Sequence, residues 1–428
     1  MIPETRQKTR VVASVVASLL TSALVTLGAA GVSAGAAASS GKVQTVHYWY
    51  WEDDPAVPTV PDLISKFNAT HPGIHVVGQL VPFNSYQQKL TDAVAAGDAP
   101  DAARFKDWWL GEYAHKHLLV SLTPDIHKWT FASDVVSKYW DTGRTSPTSP
   151  VYMLPDEYIT FYLYYRKDWF AAAHLSPPRT FSQFVTDAKK LTDPARHRYG
   201  FAMRGGGGGQ DQWYAFLAAG GARLVNRHGQ VVANSPKAIA VNQWYIDLVR
   251  KYHVAPPTAV SDSYPQLIAD FEAGETAMMA HHIGSYTILK DALGNKLGVV
   301  PMPQANPSHP GTMGTMTGNV IFRSSPVQQA AWTFISWLSS PYAINILDHS
   351  PNAELPILKS VVDEPYFQKN PFWKVALDEE KYAHDWPPLP GVAAVSGHVW
   401  ERTMDQALLG QITSRQMMDT IAATLKGK

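Results

Sequence analysis

The 428-residue sequence contains no cysteine. That absence excludes disulfides, cysteine nucleophiles, zinc sites of the CxxC kind and a lipid-modified N-terminal cysteine. Charge is scarce as well: 17% of residues are charged, and 36 basic residues balance 36 acidic ones. Nucleic-acid binding rests on a basic surface, and no basic run follows the first ten residues, so no nucleic-acid partner is expected. Metal-ligand patterns are missing too. His281 and His282 are adjacent on an expected strand and point to opposite faces, so they do not chelate together as H-E-x-x-H does. The glycine run Gly205 to Gly209 lacks the Lys and Ser or Thr of a phosphate-cradling GxxxxGK[ST] loop. No cofactor is implied.

Long apolar runs are also lacking, with one exception at the start. Arg6, Lys8 and Arg10 precede the apolar stretch from Val11 to Gly28, and Ala34-Gly35-Ala36 or Ala36-Ala37-Ala38 offers an A-x-A cleavage site. Residues 1–38 therefore read as an export signal peptide, and the competing reading is an uncleaved anchor. The rest is expected to be extracytoplasmic: secreted, periplasmic or at the outer face of the membrane. Gly31-Val32-Ser33-Ala34-Gly35 fits G-x-S-x-G, but it sits in this leader rather than between a strand and a helix, so it is read as chance. Asn68-Ala69-Thr70 matches a glycosylation sequon without supporting context.

What the sequence has in quantity is apolar and aromatic residues. Hydrophobic residues make up 45%, enough for a large core, and the length suggests two domains or three small ones. There are 14 Trp, 19 Tyr and 15 Phe. Core packing accounts for most of them, and the remaining rings suit the apolar C–H faces of sugars.

From residue 43 onward, strand and helix signals alternate, which argues for an α/β fold with largely parallel sheets. Strands are expected at 43–51, 74–81, 102–105, 199–203, 276–280, 297–302 and 320–322. Helices are expected after Asp62, after a Ser85 cap and up to Gly97, after a Thr180 cap, and from Ser235-Pro236. Others follow at Leu267 to Phe271, from Ser325-Pro326, and after a Ser414 cap.

Open α/β sheets bind ligands at the carboxyl edge of their strands. Trp51 and Glu52 sit at that edge after the first strand, whereas Tyr48 and Tyr50 read as core. Asp107 and Trp108 hold the same place after 102–105. Carboxylates suit sugars because each accepts two hydroxyl hydrogen bonds, strengthened by charge. Glu157 and Tyr158 follow Pro155 in an aromatic extended stretch. Gly205 to Gly209 reads either as a loose connector or as bare backbone approaching a ligand, with Asp211 and Trp213 supplying a carboxylate and a ring. Arg204 is a candidate to hold that loop by a salt bridge. Asn319 offers an amide before a strand.

The order of several motifs resembles the family 1 extracellular solute-binding proteins, the maltose-binding-like receptors of ABC importers. These are Tyr48-Trp49-Tyr50-Trp51, the turn Gly97-Asp98-Ala99-Pro100-Asp101, the stretch Val151 to Phe170 and Pro177-Pro178-Arg179-Thr180-Phe181. Gly274 to Ala280, Gly298 to Pro303, Ala330 to Leu338 and Leu355-Pro356 follow in order. Arg166 and Tyr162 depart from the usual family pattern. The resemblance implies a two-lobed periplasmic-binding-protein type II fold, α/β, each lobe a sheet flanked by helices with a ligand cleft between. It implies three crossovers, near Pro155 to Tyr164, Gly298 to Pro303 and Asp348 to Pro356. The implied N-terminal lobe is 43–157 plus 303–350, and the C-terminal lobe 158–302 plus 351–428. It also makes His282, Ser285, Tyr286, Glu354 and Trp386 candidates for the cleft.

The function so implied is the substrate-binding component of an ABC importer, a monomer holding a mono- or oligosaccharide and meeting permease subunits in the membrane, without catalysis. One alternative keeps the fold and changes the ligand to a polyamine, a polyol phosphate or an anion. Another is an exported glycoside hydrolase, because aromatics and carboxylates also build such sites.

Overall fold

The structure, a computed structural model, describes residues 42–52, 56–351 and 353–427. The expected signal peptide, with its G-x-S-x-G match, lies outside them. The first strand, β1 (Gln44–Tyr50), buries Val46, Tyr48 and Tyr50 on one face, as its alternation requires. Tyr48 meets Phe334 edge-on at 5.0 Å. Helix α1 (Thr59–Thr70) returns the chain with Val60, Leu63, Ile64 and Phe67 on its buried stripe. Asn68 then fastens α1 to β2 (Ile74–Leu80): its Nδ2 donates to the Val76 carbonyl and its Oδ1 accepts the Val76 amide. The sequon's amide is thus engaged within the fold. Helix α2 (Phe83–Ala96) ends at Gly97, left-handed at φ 77° as its C-cap position favours.

Strand β3 (Ala102–Lys106) runs directly into helix α3 (Asp107–His115). Strands β1, β2 and β3 are parallel, and β3 pairs antiparallel with the fully buried ten-residue β8 (Thr312–Ile321). On its other side β8 pairs antiparallel with β4 (Leu154–Thr160), which pairs with β9 (Leu355–Pro356). The large sheet therefore runs β2-β1-β3-β8-β4-β9, and β10 (Ala383–His384) joins the start of β8. A second sheet has three strands: β5 (Tyr162–Arg166) lies between β6 (Met278–His281) and β7 (Leu297–Val300), both antiparallel to it. The expected strand at 199–203 is reduced to two single bridges beside β6, Tyr199 to Thr276 and Ala202 to Met279.

Of the expected caps at Thr180, Ser235, Ser85 and Ser414, two hold and two shift. Thr180 and Gln183 form a capping box, and Ser235 accepts the Ala238 amide ahead of Pro236. Ser85 does not cap α2, which starts two residues earlier behind Pro82. The last helix is capped by Thr413, one residue before Ser414, because Gln416 completes a capping box with it.

Three chain segments pass between the sheets side by side. Thr160 ends β4 and Tyr162 begins β5, so Phe161 alone separates the sheets there. The Phe161 amide donates to Met313 O at 3.4 Å and its carbonyl accepts Thr312 Oγ1 at 2.7 Å. Strand β10 lies on Thr312 and Met313 from the other side. Sheet membership thus runs three residues past the boundary expected at 157/158. It also keeps Leu355–Pro356 in the large sheet, paired with β4.

Candidate ligand-binding site

A cavity of about 300 Å³ opens where the carboxyl ends of β1 and β3 face residues from the three-stranded side. That is the edge at which α/β sheets place ligands. Trp51 and Glu52 arrive from β1, Lys106 and Trp108 from the β3–α3 junction, and Phe83 and Asn84 from the start of α2. From the other side come Arg204, Gly208, Asp211, Tyr264, His281 and His282, and Glu354 lies ahead of β9.

Trp51 is fixed by an aromatic cluster, with Tyr86 and Trp109 edge-on at 5.0 and 6.0 Å and Phe83 at 5.4 Å. The Lys106 ammonium sits 5.6 Å from the Trp51 ring centre and 5.5 Å from that of Trp108, and donates to Thr317 Oγ1 at 2.7 Å. Behind this wall the Arg104 guanidinium lies 4.9 Å over Trp51 and pairs with Glu157 and, at 3.6 Å, with Asp156. Burial pushes Glu52 above the usual carboxylate range, opposed by the Val60 amide that donates to its Oε1 at 2.7 Å. Burial also pushes Asp211 up to about 6, with Lys106 and Arg204 pulling the other way. Glu354 Oε2 lies 3.3 Å from His282 Nδ1, which also accepts the Gly284 amide at 3.2 Å. Burial drives His281 well below the usual histidine range, so it is the neutral imidazole, its Nδ1 2.7 Å from Ser285 Oγ.

The glycine run is neither loose nor phosphate-like. The Gly205 amide donates to Ala259 O and the Gly206 amide to Asp262 O, while a side chain at 205 would strike backbone. Gly208, left-handed at φ 84°, opens the helix Gly209–Ala219 and lines the cavity. Arg204 holds the loop through a hydrogen bond from its Nε to Gly207 O.

Of the residues singled out from sequence, Trp51, Glu52, Trp108, Asp211, His282 and Glu354 meet at this cavity. Asp107 and Trp386 line a neighbouring one of about 530 Å³. There Asp107 accepts Thr315 Oγ1 and the Met316 amide, and burial beside Asp385 pushes it up to about 8. Trp386 stands between the two spaces: its indole packs on Trp108 at 6.2 Å and Tyr214 at 4.7 Å, and its Nε1 donates to Asp211 at 3.2 Å.

The remaining six lie outside both cavities. Glu157 is wholly buried against Arg104, and the Tyr158 hydroxyl donates to Asp385. Trp213 is wholly buried with its indole N–H given to Asn242, and Asn319 Oδ1 accepts the Tyr48 hydroxyl at 2.6 Å. Ser285 is buried against His281, and the Tyr286 hydroxyl accepts Asn370 Nδ2. Phe83, Asn84, Lys106, Arg204 and Tyr264 line the cavity without having been singled out for it. Only Lys106 carried a signal, as the last residue of an edge-forming strand.

The model of the bacterial extracellular solute-binding protein family matches residues 51–343. The chain belongs to that family. A putative binding protein of Brucella abortus (strain 2308) is 25% identical to it over 287 residues, 66% of this chain and 68% of the relative. The maltotriose-binding protein of Pyrococcus abyssi is 23% identical over 370 residues, 84% of this chain and 76% of the relative. Among solved structures, an ABC transporter solute-binding protein of Thermotoga lettingae bound with α-D-tagatose superimposes with a TM-score of 0.81. It is 23% identical, and the match covers 90% of this chain and 99% of the other. The shared architecture is the two-lobed fold of this solute-binding family. Among the described residues no helix is long and apolar enough to cross a membrane.

Proposed function

We propose that this solute-binding protein captures a mono- or oligosaccharide in the cavity between its two sheets and presents it, outside the cytoplasm, to the permease of an ABC importer. One lobe is built on the seven-stranded sheet and the other on the three-stranded sheet. The observation that carries the ligand class is the lining itself. Trp51, Trp108, Phe83 and Tyr264 give flat apolar walls, and Glu52, Asp211, Glu354 and Lys106 give charged hydrogen-bonding groups around them. The relatives' ligands, maltotriose and tagatose, are in keeping with that lining.

A polyamine would want the carboxylates without the two cations, and Lys106 and Arg204 stand among them. Binding without catalysis is part of the proposal. The lobes close on the ligand only as far as it contacts the closed state better.

The test is a thermal-shift screen against monosaccharides, oligosaccharides, polyols, polyamines and phosphorylated sugars. A sugar present at 100 times its dissociation constant is expected to stabilise the fold by about 2.7 kcal/mol. Stabilisation by a polyamine or phosphate alone overturns the sugar reading. Sustained hydrolysis of an oligosaccharide by the purified chain overturns binding without chemistry.

A further inference from the structure

The cavity of about 300 Å³ lies at the low end of small-molecule sites, which span roughly 300–1,000 Å³. It is closed on one side and adjoins a groove on another. Toward the Asp107 cavity, Trp386 forms the wall, bonded to Asp211 and packed on Trp108 and Tyr214. Toward the outer edge of α2, the cavity adjoins a groove of about 620 Å³, with which it shares Phe83, Asn84, Trp108 and Gly208.

The groove has a different lining. Its walls are α2, the first turn of the helix Gly209–Ala219, and a π-helical turn at Val395–Val399 that carries Ser396 and His398. Gln87 of α2 is already used, donating to Ala393 O at 2.9 Å, and Gln88 donates to Asp92. Two other amides are not. Gln210 is only 4% exposed, and its side chain makes no hydrogen bond among the described residues; Asn84 is exposed at the groove mouth and its side chain is likewise uncommitted there. Both amides are therefore available to a polar ligand that enters the groove. The two lie on opposite sides of the groove mouth, and Asn84 Oδ1 approaches Gly207 across it.

We propose, resting on the sugar reading above, that the ligand is an oligosaccharide. One sugar unit fills the aromatic cavity, and the next extends along the α2 groove, its hydroxyls held by the amides of Asn84 and Gln210. Trp386 fixes the direction, because the opposite exit is walled off. Neutral amides suit this position: they donate and accept at once, as hydroxyls do, and favour no charged substituent.

The test is calorimetry with length ladders of malto-, cello-, xylo- and manno-oligosaccharides, each from the monosaccharide to the tetrasaccharide. In the ladder that binds, affinity is expected to rise about 10-fold from one unit to two. Gln210→Ala, at a residue that lines only the groove, is expected to remove most of that gain while the monosaccharide binds as before; Asn84→Ala, at a residue shared by cavity and groove, is expected to weaken both. Circular dichroism confirms that each variant is folded, and Gln210→Glu serves as a second variant at the buried position. A monosaccharide that binds as tightly as its longer relatives overturns this inference and leaves the sugar reading intact. The inference is also overturned if both alanine variants keep the full gain. No binding by any member of any ladder overturns the sugar reading itself, and this inference with it.

Discussion

Asp211 connects the cavity wall to its chemistry. Its carboxyl is pushed up to about 6 and one oxygen already takes the Trp386 indole N–H. The ionised form accepts hydroxyl hydrogen bonds more strongly than the protonated form. Affinity is therefore expected to be full above pH about 6 and to fall below it, approaching a factor of 10 per pH unit as one proton must be displaced. Calorimetry between pH 4.5 and 8 checks this. Asp211→Asn should bind less tightly at pH 8 and lose the slope below 6; an unchanged slope assigns the proton elsewhere. At this scale the sequence was informative where a strand ended. Trp51, Glu52 and Trp108 were legible because the carboxyl edge of a parallel strand is a place, whatever the packing. Trp213 was not, because its helix is buried on nearly every face and composition does not say which face meets the ligand. Nothing local in the sequence marks Asn319 Oδ1 as taken, because the Tyr48 hydroxyl that donates to it lies 271 residues away in the chain.

Elements were legible where their caps and periodicity are local. Strand β8 shows where this fails. The stretch Thr312 to Ile321 is fully buried between two antiparallel neighbours, so no polar face marks it, and its two glycines and three threonines read as loop until Val320. Only the end of the strand could be placed from sequence. Another element-scale feature is the contact between α3 and the segment after Trp386. A Cβ added at Gly111 would come within 2.7 Å of Pro388 O and 2.8 Å of Leu389 O, both backbone atoms. Gly111→Val is expected to force α3 and this segment apart at a cost of about 1–3 kcal/mol. Because the segment carries Trp386, sugar affinity should fall along with the melting temperature. Calorimetry and differential scanning calorimetry on one preparation measure both, and an unchanged affinity would separate the contact from the site.

For the whole molecule, the two-lobed class was legible from motif order, and the places where the chain passes between sheets were less so. Phe161 sits in the middle of a continuous buried run, Tyr158 to Tyr164, made of aromatic, β-branched and leucine side chains, so the sequence pattern does not change as the chain changes sheets. Leu355–Pro356 is a two-residue strand, and its place in the large sheet is visible only through its pairing with β4. Closure of two lobes on a ligand has a whole-molecule signature. Small-angle scattering is expected to show a smaller radius of gyration with saturating sugar than without, and a radius that does not change would argue that the cavity fills without lobe movement.

The three passages between the sheets touch one another at Phe161, Thr312–Met313 and Ala383–His384. Separate tethers would let one lobe slide or roll over the other, whereas strands stitched edge to edge resist shear and yield mainly to twist and bend. Any rocking of the lobes is thereby confined close to a single arc. A half held to one arc would meet a guest in a single closed arrangement, and a misfit would hold the two halves apart like a door left ajar.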